Sequence, residues 1–253
     1  MEKYNADLIV KIAHQAGEKI LKIYQQNHFN ESLKLDSSPV TVADLIAHEF
    51  IVDKLNELTP TVPILSEESD LTPWKERKKW QEYWIIDPLD GTKEFINKNG
   101  EFTVNIALIR KNVPVLGVVH APVLDETWVG VEGKSAYKIK DNKKFVIKTQ
   151  PHKNREIWLA VGSRSHADKT LEKYLKSIGK YHLVSVGSSL KFCMVAEGRA
   201  HIYPRLGPTS EWDTAAAHAV VNAAGGRVLN IDGERVLYNT KDSIRNPHFV
   251  VTG

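Results

Sequence analysis

The chain has 253 residues, 42% of them hydrophobic and 26% charged, a balance that excludes disordered, collagen-like and fibrous architectures and allows one large domain or two ordinary ones. Its 34 Lys and Arg against 31 Asp and Glu leave a net charge of +3, and the cations are scattered rather than gathered into the patch a nucleic-acid binder needs. The single cysteine, Cys193, can make neither an internal disulfide nor a C-x-x-C metal site, which points to a reducing compartment.

Residues 5–27 repeat Leu8, Ile9, Ile12, Ala13, Ala16, Ile20, Ile23 and Tyr24 at three- and four-residue steps and predict an amphipathic helix. Charges inside this stretch and the lack of a small-residue cleavage pattern speak against a signal peptide, and no window approaches the ~18 uninterrupted apolar residues of a membrane span. Polar residues 28–40, ending in Ser37-Ser38-Pro39, read as a loop. A second helix is expected over 42–58, ahead of Pro60, burying Leu45, Ile46, Phe50, Ile51 and Leu55. Residues 62–65 form a short buried strand that delivers Ser66-Glu67-Glu68. Residues 73–82 predict a short charged helix, and its cluster Lys75, Arg77, Lys78 and Lys79, with an acid among them, reads as a solvated face.

Tyr83-Trp84-Ile85-Ile86 is a fully apolar run ending abruptly in Asp87-Pro88, as an interior strand does when it presents a carboxylate at its tip. Residues 102–109 and 113–120 read as a hairpin around Arg110-Lys111-Asn112, continued as a meander by 127–131 and 137–139. The polar stretch 148–155 marks a boundary between an α+β half, 1–153, and a second half, 154–253. There strands at 157–161, 182–186, 200–203, 227–229 and 248–252 alternate with helices at 168–178, 190–197 and 213–224, the last closed by Gly225-Gly226. That alternation indicates an α/β half.

The informative stretch is Asp87-Pro88-Leu89-Asp90-Gly91-Thr92. Proline and glycine force a turn that swings both carboxylates to one side and exposes the Leu89 carbonyl. Such oxygens suit hard divalent cations, Mg²⁺ in particular, which keeps waters for a substrate phosphate to replace. No pair of histidines lies near these acids to argue for zinc. A lone acidic turn is ordinary surface; here a second acidic site, Glu67-Glu68, also follows an apolar strand, and the two together favour one shared metal site. Asp213, after Trp212, reads from the residues alone as a helix N-cap, and a helix N-terminus also suits phosphate. Gly187-Ser188-Ser189 ahead of a short helix with Lys191 in its first turn reads either as ordinary capping or as an anion site. Cys193, on the apolar face of that helix, is expected in the core. His14, His48 and His218 have no useful mutual spacing and are expected to be surface or satisfied groups.

With Ser66-Glu67-Glu68 before it and Trp212-Asp213-Thr214-Ala215-Ala216 after it, the 87–92 motif resembles the inositol monophosphatase superfamily of Mg²⁺-dependent, lithium-sensitive phosphatases. Four softer stretches are similar to its bacterial CysQ-type branch, the 3'(2'),5'-bisphosphate nucleotidases: 39–44 (PVTVAD), 100–108 (GEFTVNIAL), 163–168 (SRSHAD) and 187–193 (GSSLKFC). The resemblance covers nearly the whole chain. It implies an α/β/α/β/α sandwich of the inositol monophosphatase and fructose-1,6-bisphosphatase type, with metals in the cleft between the halves.

It also implies roles. Glu67, Asp87 and the Leu89 carbonyl would hold one Mg²⁺. Asp87, Asp90 and Asp213 would hold a second, and a third, weaker ion would sit near Glu67, mostly through waters. Asp44 and Thr92 would form the dyad that orients the attacking water, with Glu67 beside it. Substrate contacts would come from Glu67, Leu89, Asp90, Gly91, Thr92 and Asp213, and from Ser163, Arg164, His166, Gly187, Ser188, Lys191 and Arg205. The implied reaction is removal of the 3'-phosphate from adenosine 3',5'-bisphosphate, with its phosphosulfated analogue as a second substrate. The implied setting is sulfate assimilation in the cytoplasm, with loose attachment to the inner face of the membrane among the branch's associations. An inositol or sugar phosphatase is the same-class alternative, and a non-catalytic nucleotide-binding regulator the alternative of another class.

Overall fold

The computed structural model describes residues 4–26, 31–33, 39–153, 156–164 and 169–253. Helix α1 (Ala6–Tyr24) begins at Asn5, whose side chain accepts from the Asp7 N–H at 2.9 Å. Strands β1 (Glu31–Leu33) and β2 (Pro39–Thr41) pair antiparallel inside the segment expected to be a loop. Helix α2 (Val42–Leu58) follows at once, capped by Thr41. Then come β3 (Ile64–Ser66), α3 (Trp74–Arg77), β4 (Glu82–Asp90), α4 (Thr92–Ile96), β5 (Thr103–Arg110), β6 (Val113–Ala121), β7 (Glu126–Val131), β8 (Tyr137–Lys140) and β9 (Lys143–Val146). The later residues form β10 (Trp158–Ser163), α5 (Lys169–Ile178), β11 (Tyr181–Val186), α6 (Leu190–Ala196), β12 (Ile202–Arg205), α7 (Ala215–Ala223), β13 (Arg227–Asn230) and β14 (Phe249–Thr252).

Strands β3 to β9 make a seven-stranded sheet in chain order, antiparallel except for the parallel pair β3–β4. A five-stranded sheet runs β11-β10-β12-β14-β13, with β10 parallel to β11 and β12, and β14 antiparallel to both its neighbours. Helices α1 and α2 cover one face of the large sheet, α6 and α7 lie between the sheets, and α5 covers the outer face of the small one. The result is the expected α/β/α/β/α sandwich. It explains the apolar run in β4: Trp84 and Ile86 face the α1–α2 core while Tyr83 and Ile85 face the α6–α7 core, so neither face can be polar.

Close packing of α7 depends on two glycines. A methyl at Gly117 in β6 would overlap the Ala216 carbonyl, and one at Gly130 in β7 the Ala219 carbonyl. Gly117→Ala is therefore expected to push α7 off the sheet and to destabilise the protein by at least about 1–3 kcal/mol, as overpacking does. Urea unfolding of the variant measures this, and an unchanged midpoint would refute the close-packing argument.

Three local expectations need correction. In α2 the buried stripe is Ala43, Asp44, Ala47, Ile51 and Leu55, whereas Leu45 and Ile46 are 45% and 37% exposed and Phe50 is half-buried. Small side chains let α2 approach α1 and β4, a preference that counting large apolar residues overlooks. The helix expected over 73–82 is only four residues long, and Arg77, assigned to a solvated face, is 0% exposed. Its Nη1 donates to Asn239 Oδ1 at 2.6 Å and the Lys241 carbonyl at 3.2 Å, and its Nη2 to the Asp242 carbonyl. A buried guanidinium needs that many acceptors, and they come from a loop about 160 residues away. Finally, α7 starts at Ala215 with Thr214 as its N-cap, so Asp213 lies before the helix and its carboxylate is available for other partners.

Candidate active site

The acids converge because of strand pairing. β3 and β4 run parallel with Ser66 opposite Ile86, so the next residues, Glu67 just past β3 and Asp87 within β4, lie side by side. The Glu67 N–H still donates to the Ile86 carbonyl at 3.3 Å. Past Asp87 the β4–β5 ladder slips, so that Asp87 faces Asn105 and Asp90 faces Thr103. Asp87 Oδ1 accepts from the Leu89 N–H at 3.1 Å, folding the turn back on itself. Asp213 arrives from the other half on the loop ahead of α7, its Oδ2 accepting the Ser210 N–H at 2.9 Å. Glu67, Asp87 and Asp213 each place a carboxylate oxygen within 4.8 Å of one another.

This grouping is electrostatically costly without a cation. Burial pushes the Asp87 carboxyl well above the usual carboxylate range, with Glu67, Asp90, Asp213 and Glu68 adding repulsion. Burial, Asp90 and Glu67 push Asp213 up to about 8, against the Ser210 N–H and Arg205. An all-oxygen set held together against its own repulsion fits a hard divalent cation such as Mg²⁺.

Asp90 is oriented by the second half: Ser188 Oγ donates to its Oδ2 at 2.7 Å and Ser189 Oγ at 3.0 Å. Asn105 Nδ2 donates to Ser189 Oγ at 2.9 Å, and Ser189 Oγ also reaches the Asp213 carbonyl at 2.8 Å. The turn is thereby stitched to both acidic segments.

Across the second loop, Thr92 Oγ1 donates to Asp44 Oδ1 at 3.3 Å. Asp44 is buried, and its other oxygen accepts from the Thr41 N–H at 2.8 Å and the Thr41 hydroxyl at 2.6 Å, a capping box at the start of α2. Gly91, at φ +95°, makes the left-handed step that brings Thr92 into line.

Glu67, Asp90, Thr92 and Asp213 line a cavity of about 220 Å³ together with Ser163, Ser188, Lys191 and Arg205. Lys191 is buried, its Nζ donating to the Ser188 carbonyl at 2.6 Å and the Val186 carbonyl at 3.3 Å. Burial pulls its pKa down to about 8, against the pull of Asp90. Arg205 Nη2 donates to the Pro208 carbonyl at 2.7 Å, and its buried Nε has no hydrogen-bond partner among the described residues. A cavity lined by acids that could hold a cation and by two cationic side chains offers complementary charge to a phosphorylated ligand. A larger cavity of about 760 Å³, lined by Val113, Glu132, Asn222 and Arg235 among others, contains none of these acids.

The inositol monophosphatase family model matches residues 3–250. The chain belongs to the inositol monophosphatase family. Within the family it is 49% identical to the Escherichia coli K12 3'(2'),5'-bisphosphate nucleotidase CysQ, over 97% of this chain and 98% of that one. It is 41% identical to the Haemophilus influenzae protein of the same name, over 97% and 91%. Its fold superposes on the crystal structure of CysQ from Bacteroides thetaiotaomicron with a TM-score of 0.85 at 44% identity, covering 98% of this chain and 97% of that one.

Two sequence candidates are committed to protein partners. The Arg164 guanidinium grips Glu101, with Nε at 2.8 Å and Nη2 at 2.7 Å from its carboxylate, and the Gly187 N–H donates to the same carboxylate at 2.8 Å. His166 lies outside the described residues. Sequence reasoning gave no role to Thr103, Asn105 or Glu101, and read Ser189 as a cap or anion donor where its hydroxyl instead holds Asp90. The signal for the first two was present: polar residues at alternate positions of an otherwise apolar strand face one side together. Cys193 is buried, and burial raises its thiol. The histidines are satisfied: His14 bonds Thr127 Oγ1 at 2.7 Å, His48 bonds Ser66 Oγ at 2.8 Å and His218 bonds the Tyr238 hydroxyl at 3.0 Å.

Proposed function

We propose that this chain is a Mg²⁺-dependent phosphomonoesterase that removes the 3'-phosphate of adenosine 3',5'-bisphosphate, giving AMP and phosphate, and that also accepts the phosphosulfated analogue. The observation that carries the reading is one cavity lined both by Glu67 and Asp213 of the acidic cluster and by the cations Lys191 and Arg205. The names of its nucleotidase relatives support the same substrate.

Glu67, Asp87, Asp90, Asp213 and the Leu89 carbonyl would hold two Mg²⁺, with a third, weaker ion near Glu67. A bound pair supplies Lewis-acid stabilisation of the phosphoryl oxygens and acidifies a water. The chain's own residues orient the reaction. Asp44 accepts a hydrogen bond from the Thr92 hydroxyl, which turns the Thr92 lone pairs outward to accept a hydrogen bond from the attacking water and orient it. Ser188 and Ser189 hold Asp90 in place, and Lys191 and Arg205 face the phosphate that is not cleaved.

No helix among the described residues is long and apolar enough to cross a membrane. A cytoplasmic role in clearing a by-product of sulfate assimilation goes with this substrate. Loose attachment to the inner face of the membrane belongs to the same reading, and vesicle co-sedimentation tests it. The deciding experiment measures phosphate release from adenosine 3',5'-bisphosphate and inositol 1-phosphate with Mg²⁺. A preference for the nucleotide is expected; a preference for the inositol ester overturns the reading, and no turnover of either would favour a non-catalytic nucleotide binder.

A further inference from the structure

Glu101 stands where the two halves meet, just ahead of β5, and belongs neither to the acidic cluster nor to the cavity lining. Its carboxylate is the shared acceptor for two segments of the second half. Arg164, at the end of β10, donates to both oxygens and uses Nη2 to reach the Ser185 carbonyl at 2.9 Å as well. Gly187, at the start of the next turn, donates its N–H to Oε2. Burial alone would raise the Glu101 carboxyl, but the Arg164 and Gly187 hydrogen bonds outweigh it and hold the group below its ordinary value, an anion at neutral pH.

The turn it holds has little freedom. A Cβ at Gly187 would lie 2.7 Å from both the Glu101 carbonyl oxygen and Glu94 Cγ, so the backbone is pressed against this segment. Ser188 adopts φ +53°, an uncommon conformation for a side-chain-bearing residue, and its hydroxyl is pinned by Thr103 at 2.6 Å and Asp90 at 2.7 Å. The Ser188 carbonyl in turn receives the Lys191 ammonium at 2.6 Å. One chain of contacts thus runs from Glu101 through Gly187 and Ser188 to the cation on the cavity wall.

We propose that Glu101 is a specificity-determining positioning residue: by clamping Arg164 and the Gly187 N–H it sets the 187–189 turn, and with it Lys191, at the position that recognises the second phosphate of a bisphosphate substrate. This rests on the reading above, in which Lys191 faces the phosphate that is not cleaved. Glu101 itself contacts no reacting atom; its effect falls on how tightly the doubly phosphorylated substrate is held.

The test compares kcat and KM for adenosine 3',5'-bisphosphate and for 3'-AMP, which offers the same scissile phosphate without the second one. Wild type, Glu101→Ala, Glu101→Gln and Arg164→Ala are assayed at saturating Mg²⁺, and the Mg²⁺-induced rise in Tm shows whether each acidic cluster is intact. In Glu101→Ala, KM for the bisphosphate is expected to rise about tenfold or more, and kcat/KM for the bisphosphate to fall at least about tenfold further than kcat/KM for 3'-AMP, whose own loss reflects only the weakened hold of Ser188 and Ser189 on Asp90. Glu101→Gln, which keeps an acceptor oxygen for the Gly187 N–H, recovers part of the loss. The double variant with Arg164→Ala is no worse than Glu101→Ala alone, because both act through one clamp. If Glu101→Ala keeps the wild-type preference, or loses kcat equally on both substrates, the inference is wrong while the functional reading stands. A wild type with no preference for the bisphosphate overturns the functional reading, and this inference with it.

Discussion

Asp87→Asn is expected to abolish turnover, by at least about 10³-fold in kcat, roughly 4 kcal/mol of transition-state stabilisation, and at the same time to make the metal-free protein more stable. The first effect follows from position. Asp87 sits at the centre of the acidic cluster, between Glu67 on the neighbouring strand and Asp213 from the facing loop. The second follows from burial, which lifts the Asp87 carboxyl well above its ordinary range. An acid that ionises in the unfolded chain but not in the folded one costs about 1.4 kcal/mol of stability for each pH unit between its two pKa values. Asparagine has the same shape and none of that cost. Phosphate release and thermal melts in EDTA measure the two effects, each kcal/mol moving Tm by about 2–4 °C for a chain of this length. Retained turnover would place the chemistry elsewhere, and a lower melting temperature in EDTA would show that Asp87 is a structural group.

The metal-free protein should also lose stability as pH rises from 6.5 to 8, and Mg²⁺ should abolish that loss. Asp213 is raised from 3.8 to about 8 by burial and by its acidic neighbours, so the folded state binds a proton that the unfolded state has released. Stability from such a raised acid is fully present below the ordinary carboxyl pKa and declines until pH reaches the folded value. Glu211, raised by burial to about 7, contributes in the same direction over the lower part of that range. Two buried histidines act oppositely but below this window. Burial takes His120 and His218 down to about 3, so their cost appears as pH falls from 6.5 and is absent above it. Lys191, lowered by burial to about 8, begins to add stability only above that value. Bound Mg²⁺ favours the ionised acids, so its stabilisation should grow with pH across the same window. Denaturant melts with EDTA or millimolar Mg²⁺ at several pH values decide this, and an Mg²⁺ effect independent of pH would overturn the assignment of the raised acids to the metal site.

Much of this site was legible because it is built from consecutive residues at strand ends. The 87–92 turn shows its chemistry in six letters, and the apolar run before it shows that the strand is interior. The α2 helix matched its expected bounds because capping residue and proline stop are local signals. Its buried face matched only at Ile51 and Leu55, because which side of a helix is covered depends on how closely its neighbour can approach, and Ala43 and Ala47 permit an approach that Leu45 and Ile46 do not. Arg77 shows the same limit. Its charge reads as solvated until a loop distant in sequence supplies carbonyls to bury it.

The opening composition described an ordinary chain with a near balance of charges, and the sequence by itself determined that some of the acids lie at strand ends and hence that a cation is needed. It also determined, through the length of its matching motifs, the family whose architecture the chain adopts. Only the tertiary structure decided how the balance is divided in space. Strand pairing puts Glu67 beside Asp87, α7 packed on two glycines brings Asp213 across, and a buried turn places Lys191 in the lining of the same cavity. Glu101 was invisible for the same reason: a carboxylate has no role until the fold chooses its donors, and here those donors lie 63 and 86 residues away.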